Sequence, residues 1–308
     1  MLFDHNTLSS ELKTILDFIR VGWTWAESAD LWFGHGTEDA EQDIRELILG
    51  SLHLPYDLDV AYMHARLTMQ ERQFLASQLK KRILDRIPVP YLTHRSHFAG
   101  LEFYVDERVL IPRSPTAELI EQQFAPWVDP SAVNSILELC TGSACMAIAC
   151  AYAFPWAQVD ALDISSDALA VAQINVQKHH LEDQVRLIQS DVWQQCPDQR
   201  YDVILANPPY VSQEEMLSLP KEYTHEPRLA LFAEREGLAI VDDILHHAAR
   251  YLTPQGCLII EVGDTEDTMK QAYPDLPLTW IDVERGGSGV FLLTAEQLNN
   301  YFPQNEER

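Results

Sequence analysis

Residues 135–154, SILELCTGSACMAIACAYAF, decide between two folds. No charged residue falls between 139 and 159. A run of that length can imitate a membrane span. Three features oppose that reading. Glu138 directly precedes the run, Thr141-Gly142-Ser143 interrupts it, and Pro155 follows it. What remains is a β-prone stretch over 135–139, a turn, and a helix over 144–154. This is a buried strand–turn–helix unit rather than a span.

The same rhythm continues toward the C-terminus. Strands are predicted over 158–162, 185–189, 202–206, 257–262, 278–283 and 290–294, with helices over 166–179 and 237–252. Alternation of this kind predicts an α/β, doubly wound, mainly parallel sheet. The last two strands meet at Arg285-Gly286-Gly287-Ser288, a turn, so they are expected to form an antiparallel hairpin at the sheet edge. Toward the N-terminus the period becomes helical. Leu8, Leu12, Ile15, Leu16 and Ile19 share one helical face, and Ile44, Leu47 and Ile48 another. A capping box, Thr68-x-x-Glu71, opens a third helix through Phe74, Leu75, Leu79 and Ile83, which Pro88 and Pro90 are expected to end. Residues 101–105 and 109–111 are expected to pair as a hairpin around Asp106-Glu107-Arg108. The expected organisation is therefore a small helical domain over 1–95, a hairpin linker over 96–115 and the sheet domain over 116–308.

Charge narrows the function. The chain of 308 residues carries 47 acids and 22 bases, a net −25. Residues 1–95 hold 14 acids and 10 bases, a net −4, which leaves 33 acids and 12 bases, a net −21, for the rest. The second part lacks the basic footprint that a phosphate backbone requires and is suited to a basic partner. The five cysteines form no C-x-x-C pair, so they are expected in the core, reduced, with no metal. The first residues, MLFDHNTLSSELK, have neither the basic nor the apolar region of a secretion signal. The expected location is cytoplasmic, without membrane attachment.

Ligands of open α/β sheets bind beyond the carboxyl ends of the strands. Four such ends carry polar groups here: Glu138-Leu139-Cys140-Thr141-Gly142, then Asp163, then Asp191, then Asn207-Pro208-Pro209-Tyr210. Any one of these acids is an ordinary cap or turn residue. Their order together is what a nucleoside site needs. Asp163 stands 21 residues after Gly142, the spacing at which an acid meets a ribose. The first turn has one glycine rather than G-x-G-x-x-G, and a glutamate at its strand end repels phosphate. A sulfonium nucleoside, S-adenosylmethionine (AdoMet), suits it better. Asn207 then offers an amide oxygen, and Pro208 a carbonyl with no competing N–H. Two such acceptors can take both hydrogens of one planar –NH2 while Tyr210 packs against it.

These residues resemble the HemK-type N5-glutamine methyltransferases. The resemblance covers nearly the whole chain and includes ELCTG, NPPY, Glu226-Pro-Arg-Leu-Ala-Leu231 and Glu236-Gly-Leu238. It implies a class I, Rossmann-like, AdoMet-dependent methyltransferase sheet and methylation of a protein glutamine. Residues 103–115, FYVDERVLIPRSP, and 140–155, CTGSACMAIACAYAFP, look closer to the branch acting on the large-subunit ribosomal protein L-three than to the release-factor branch. By the resemblance, Glu138, Leu139, Cys140, Thr141 and Gly142 line the methionine end of AdoMet. Asp163 holds the ribose, and Asp191 with Trp193 borders the adenine. Asn207, Pro208, Pro209 and Tyr210 bind the glutamine amide. The family pattern has glycine where this chain has Ala144. Rival readings are the same chemistry on a class-1 release factor, an adenine amino-methyltransferase, and a non-catalytic AdoMet-binding assembly factor. Substrate recognition and a homodimer contact both fit the aromatic residues of the N-terminal domain.

Overall fold

The computed structural model describes residues 5–303; the first four residues of the stretch read for a secretion signal lie outside them. The chain divides into two compact units. The smaller takes residues up to 96 together with 105–107 and 220–225, and the larger takes 97–104, 108–219 and everything from 226.

The smaller unit contains α1 (His5–Glu11), α2 (Ile15–Glu27), α3 (Ala40–Ser51), α4 (Val60–Met63), α5 (Met69–Ile83) and α6 (Val89–Thr93). The single face expected from Leu8 to Ile19 is split between α1 and α2. Thr14 breaks it with a capping box, accepting from the Asp17 N–H while Asp17 accepts from the Thr14 N–H. Leu16 consequently turns outward, and Phe18 takes the buried position. The Thr68–Glu71 box does open α5. That helix ends at Ile83, and Pro88 starts α6 instead of stopping α5. Arg82, 1% exposed, anchors this unit. It donates to Asp43 at 2.7 Å, to Glu222 at 3.3 Å and to the Trp32 carbonyl at 2.9 Å. Glu222 also accepts from the Trp32 N–H, which ties residues 220–225 to the helices.

In the larger unit the hairpin is shifted from its expected place. Its strands are β1 (Ser96–Phe98) and β2 (Leu101–Phe103), and the turn is Ala99-Gly100, both at positive φ. A two-residue turn of that hand suits a tight hairpin. Residues 109–111 are not a strand. Val109 and Ile111 are apolar because they are buried, and the Ile111 N–H donates to Glu226.

The main sheet comprises β3 (Ser135–Leu139), β4 (Gln158–Asp163), β5 (Val185–Gln189), β6 (Tyr201–Ala206), β7 (Leu252–Glu261), β8 (Thr279–Ile281) and β9 (Val290–Thr294). Their spatial order is β5-β4-β3-β6-β7-β9-β8. Pairing is parallel from β5 to β7 and antiparallel for β9 against both β7 and β8. The two expected terminal strands thus add β9 to β7 and leave β8 at the edge. Between the strands run α7 (Thr116–Glu121), α8 (Cys145–Ala153), α9 (Ser166–Lys178), α10 (Gln213–Ser218), α11 (Ala239–Tyr251) and α12 (Glu266–Ala272), with α13 (Ala295–Tyr301) last. Alternate strand residues serve opposite faces. Ile136, Val159, Val203 and Ile259 pack with α7, α8 and α9, while Leu137, Leu162, Ile204 and Ile260 pack with α11 and α13. Both faces are covered, so the strands read as continuous apolar runs. Among the described residues no helix is long and apolar enough to cross a membrane.

Candidate active site

The chain passes from β3 to β4 on one side and returns to β6 on the other. The reversal opens a crevice at the carboxyl ends of these strands. A cleft lies there. Its walls include Cys140, Gly142, Asp163, Asp191, Asn207 and Pro209, with Arg108 and Leu229 at other points of the lining.

The first wall is the turn after β3. Cys140, Gly142 and Ala144 have φ of 59°, 54° and 62°. Glu138 lies beneath this turn and is fully buried. Its Oε2 accepts from the Thr141 hydroxyl at 2.5 Å and from the Ala147 N–H in the first turn of α8 at 2.9 Å. Its Oε1 has no hydrogen-bond partner among the described residues. Burial is the main cause that pushes this carboxyl up to about 8. The implied lining of Glu138 through Gly142 is therefore divided. Cys140 and Gly142 form the wall, whereas Glu138, Leu139 and Thr141 are buried behind it.

Asp163 ends β4. Its Oδ2 accepts from the Gly142 N–H at 2.8 Å and its Oδ1 from the Ser165 N–H at 2.9 Å. Burial raises its pKa, and these backbone donors oppose the rise. The carboxylate still has accepting capacity for a ligand hydroxyl. Asp191 lines the cleft next to Val192, which has a φ of 44°. Trp193 does not line it. Its ring stacks on Tyr251 with centroids 4.6 Å apart, and its N–H donates to the Asp243 carbonyl at 3.2 Å. The wall at that point is Val192.

The fourth wall begins where β6 stops at Ala206. Asn207 and Pro209 line the cleft and Pro208 is buried. Tyr210 is set into a fitted socket. A Cβ on Gly263 would stand 2.8 Å from its ring, and one on Gly237 2.1 Å from its carbonyl oxygen. Both glycines have positive φ, so the chain can approach Tyr210 only without a side chain there. The Thr265 hydroxyl also donates to the Tyr210 carbonyl at 2.8 Å.

One group at this wall, and one ion pair between stretches read separately, escaped the sequence. Ile260 on β7 pairs with Ala206 on β6, which makes Glu261 the neighbour of Asn207. Glu261 is 5% exposed and accepts from the Ser114 hydroxyl. The second is the fork between Arg113 and Glu226, at 2.6 and 2.8 Å. It joins the 103–115 and 226–231 stretches singled out in the sequence. Glu261 had the same signal as the other four ends, a polar residue closing an apolar strand. Its partners, being remote in sequence, gave no further cue.

A seven-stranded sheet of this order, with a carboxylate-walled cleft at the ends of its central strands, is the fold of the class I AdoMet-dependent methyltransferases. The methyltransferase small domain family model matches residues 121–227. The chain is 44% identical over 294 residues to the ribosomal protein uL3 glutamine methyltransferase of Neisseria meningitidis serogroup B (strain ATCC BAA-335 / MC58), covering 95% of this chain and 97% of that protein. The protein of the same name from serogroup A / serotype 4A (strain DSM 15465 / Z2491) matches with the same identity and coverage. Among solved structures, the hMettl16 catalytic domain in complex with MAT2A 3'UTR hairpin 1 superposes with a TM-score of 0.50 at 16% identity, over 73% of this chain and 80% of that one, a likeness of fold alone. The chain belongs to the ribosomal protein uL3 glutamine methyltransferase family.

Proposed function

We propose that this protein transfers a methyl group from S-adenosylmethionine to the side-chain amide nitrogen of a glutamine in ribosomal protein uL3. The observation that carries the reading is the Asn207-Pro208-Pro209-Tyr210 turn closing β6 at the edge of the cleft. The near full-length likeness to relatives of that name supports the choice of substrate.

The cleft suits the cofactor. Asp163 and Asp191 offer acceptors to nucleoside hydroxyl and amino groups, and Leu162, Ala168, Val192 and Ile240 offer apolar walls. When bound, AdoMet supplies an electrophilic methyl on a sulfonium centre. Asp163 would hold the ribose, and Cys140 and Gly142 would flank the methionine end. The work of the turn is orientation, worth up to about 7–11 kcal/mol in ideal cases. The Asn207 amide oxygen and the Pro208 carbonyl take the two amide hydrogens of the substrate. They also stabilise the nitrogen as positive charge develops on it. No general base is needed first, because the methylated nitrogen is acidic and loses its proton afterwards.

The net −21 after residue 95 favours a basic protein substrate over nucleic acid. We place the reaction in the cytoplasm, without direct nucleic-acid binding. Substrate recognition is the role we assign to the helical unit, where a homodimer contact is the competing use. The test is methyl transfer from labelled AdoMet into purified uL3 and, in parallel, into a class-1 release factor. Label in uL3 alone supports the reading. Label in the release factor alone keeps the chemistry and overturns the substrate.

A further inference from the structure

Glu261 plays no part in the mechanism above, yet groups able to donate gather on it. Ser114 donates through its hydroxyl. Asn207 is the neighbour of Glu261 across the paired ends of β6 and β7, and Asn207 and Tyr210 both act to hold the carboxyl lower. Ser114 is held in turn, accepting from the Thr116 N–H at 3.1 Å and lying 2.6 Å from the Thr116 hydroxyl. The charged group facing Glu261 is Arg113, already forked onto Glu226. On β9 the residue paired with Glu261 is Val290, which does not titrate.

An asparagine amide has two ends of nearly equal shape and opposite hydrogen-bonding sense. Only its surroundings decide which end points where. An ionised carboxylate accepts and never donates, so it can take only the –NH2 end. We propose that Glu261 is a positioning residue that captures the Asn207 –NH2 and thereby presents the Asn207 oxygen to the substrate amide. The inference deepens the glutamine-methylation reading and rests on it. With the amide reversed, the –NH2 of Asn207 would meet the –NH2 of the substrate, donor against donor. The same carboxylate draws in the Tyr210 hydroxyl and fixes the ring that Gly263 seats.

A pH signature follows. Burial is the largest influence on Glu261 and raises it to about 7, against the opposing pull of Ser114, Arg113, Tyr210 and Asn207. Below that pH the carboxyl gains an O–H that donates, and it no longer dictates the orientation of Asn207. Activity therefore falls as pH drops through about 7.

The test compares wild type with Glu261→Gln, whose amide both donates and accepts. In the variant kcat is expected to fall by about 10-fold or more at pH 8, with the AdoMet Kd and the KM for uL3 within about twofold. The acid limb near pH 7 should vanish. A second readout needs no turnover. The Asn207 side-chain –NH2 signals, assigned by their loss in Asn207→Ala, should titrate near pH 7 in the wild-type protein and stay flat in Glu261→Gln. An unchanged kcat, or an acid limb that survives in the variant, overturns the role. So does an Asn207 signal that does not titrate. If wild type labels no uL3 while Asn207 still titrates with Glu261, the substrate reading fails and the positioning role stands.

Discussion

Glu138 and Glu261 occupy matching places and have different surroundings. Each ends or nearly ends a central strand, and each is almost fully buried. Glu138 draws its partners from its own neighbourhood: Thr141 is three residues away and Ala147 nine. Glu261 draws on Ser114, 147 residues earlier, and on the turn after β6. A carboxylate satisfied by its own turn shapes that turn. One satisfied by distant segments registers those segments against each other. The first belongs to the architecture of the cleft, the second to the alignment of its acceptor wall.

The largest expected effect tests the acceptor wall itself. Asn207→Ala removes the amide oxygen offered to the substrate. It should lower kcat by about 100-fold or more, as loss of one positioned polar group does elsewhere. The AdoMet Kd, measured by calorimetry, should move far less, because Asp163 and the β3 turn are untouched. Loss of AdoMet binding in step with turnover would mean that the two walls are not separable.

Next comes Glu138→Ala, which should act on stability. It leaves the Thr141 hydroxyl and the Ala147 N–H without their acceptor in a buried site. A cost of about 2 kcal/mol is expected. It should appear as a lower urea midpoint with an unchanged slope. A variant that unfolds like wild type but fails to bind AdoMet would place Glu138 in the ligand site instead.

This contrast also explains what the sequence could reveal. The strand–turn–helix alternation, the capping box at Thr68 and the four polar strand ends are local patterns, and each was readable. The Ala99-Gly100 turn was missed because the apolar residues at 109–111 imitate a strand while serving burial. The break at Thr14 was missed because Leu8 to Ile19 keeps a helical period across it. Trp193 was placed at the cleft by order along the chain, but the left-handed Val192 turns the wall one residue earlier. Glu261, Arg113 and Glu226 act through partners more than a hundred residues away, and no spacing rule reaches that far.

A smaller effect concerns pH and stability. Glu138 is raised in the fold from the ordinary carboxyl value of 4.5 to about 8. Between those values the folded state holds a proton that the unfolded chain has released. Stability therefore falls as pH rises across that window. Glu138→Gln cannot ionise and should remove this contribution, so the wild type should lose ground to it steadily from pH 5 to pH 8. Unfolding curves measured at four pH values decide the matter. A constant gap between the two proteins would mean that Glu138 keeps its ordinary pKa.

The smallest expected effect lies in the turn that Glu138 supports. Ala144 caps α8 at φ 62° and ψ 25°, the left-handed region, where a Cβ crowds the following carbonyl. Fully buried and outside the cleft lining, it faces the core rather than the ligand. The methyl therefore strains the backbone without narrowing the site. Ala144→Gly relieves that strain but gives the unfolded chain more freedom, and the methyl also leaves a small gap in the core. The strain term should win narrowly, for a gain of about 1 kcal/mol or less. AdoMet affinity should stay within about twofold, since the wall atoms of Cys140 and Gly142 do not depend on that methyl. A tighter AdoMet Kd without a gain in stability would instead mean that the turn moves when the ligand enters, and that alanine opposes the move.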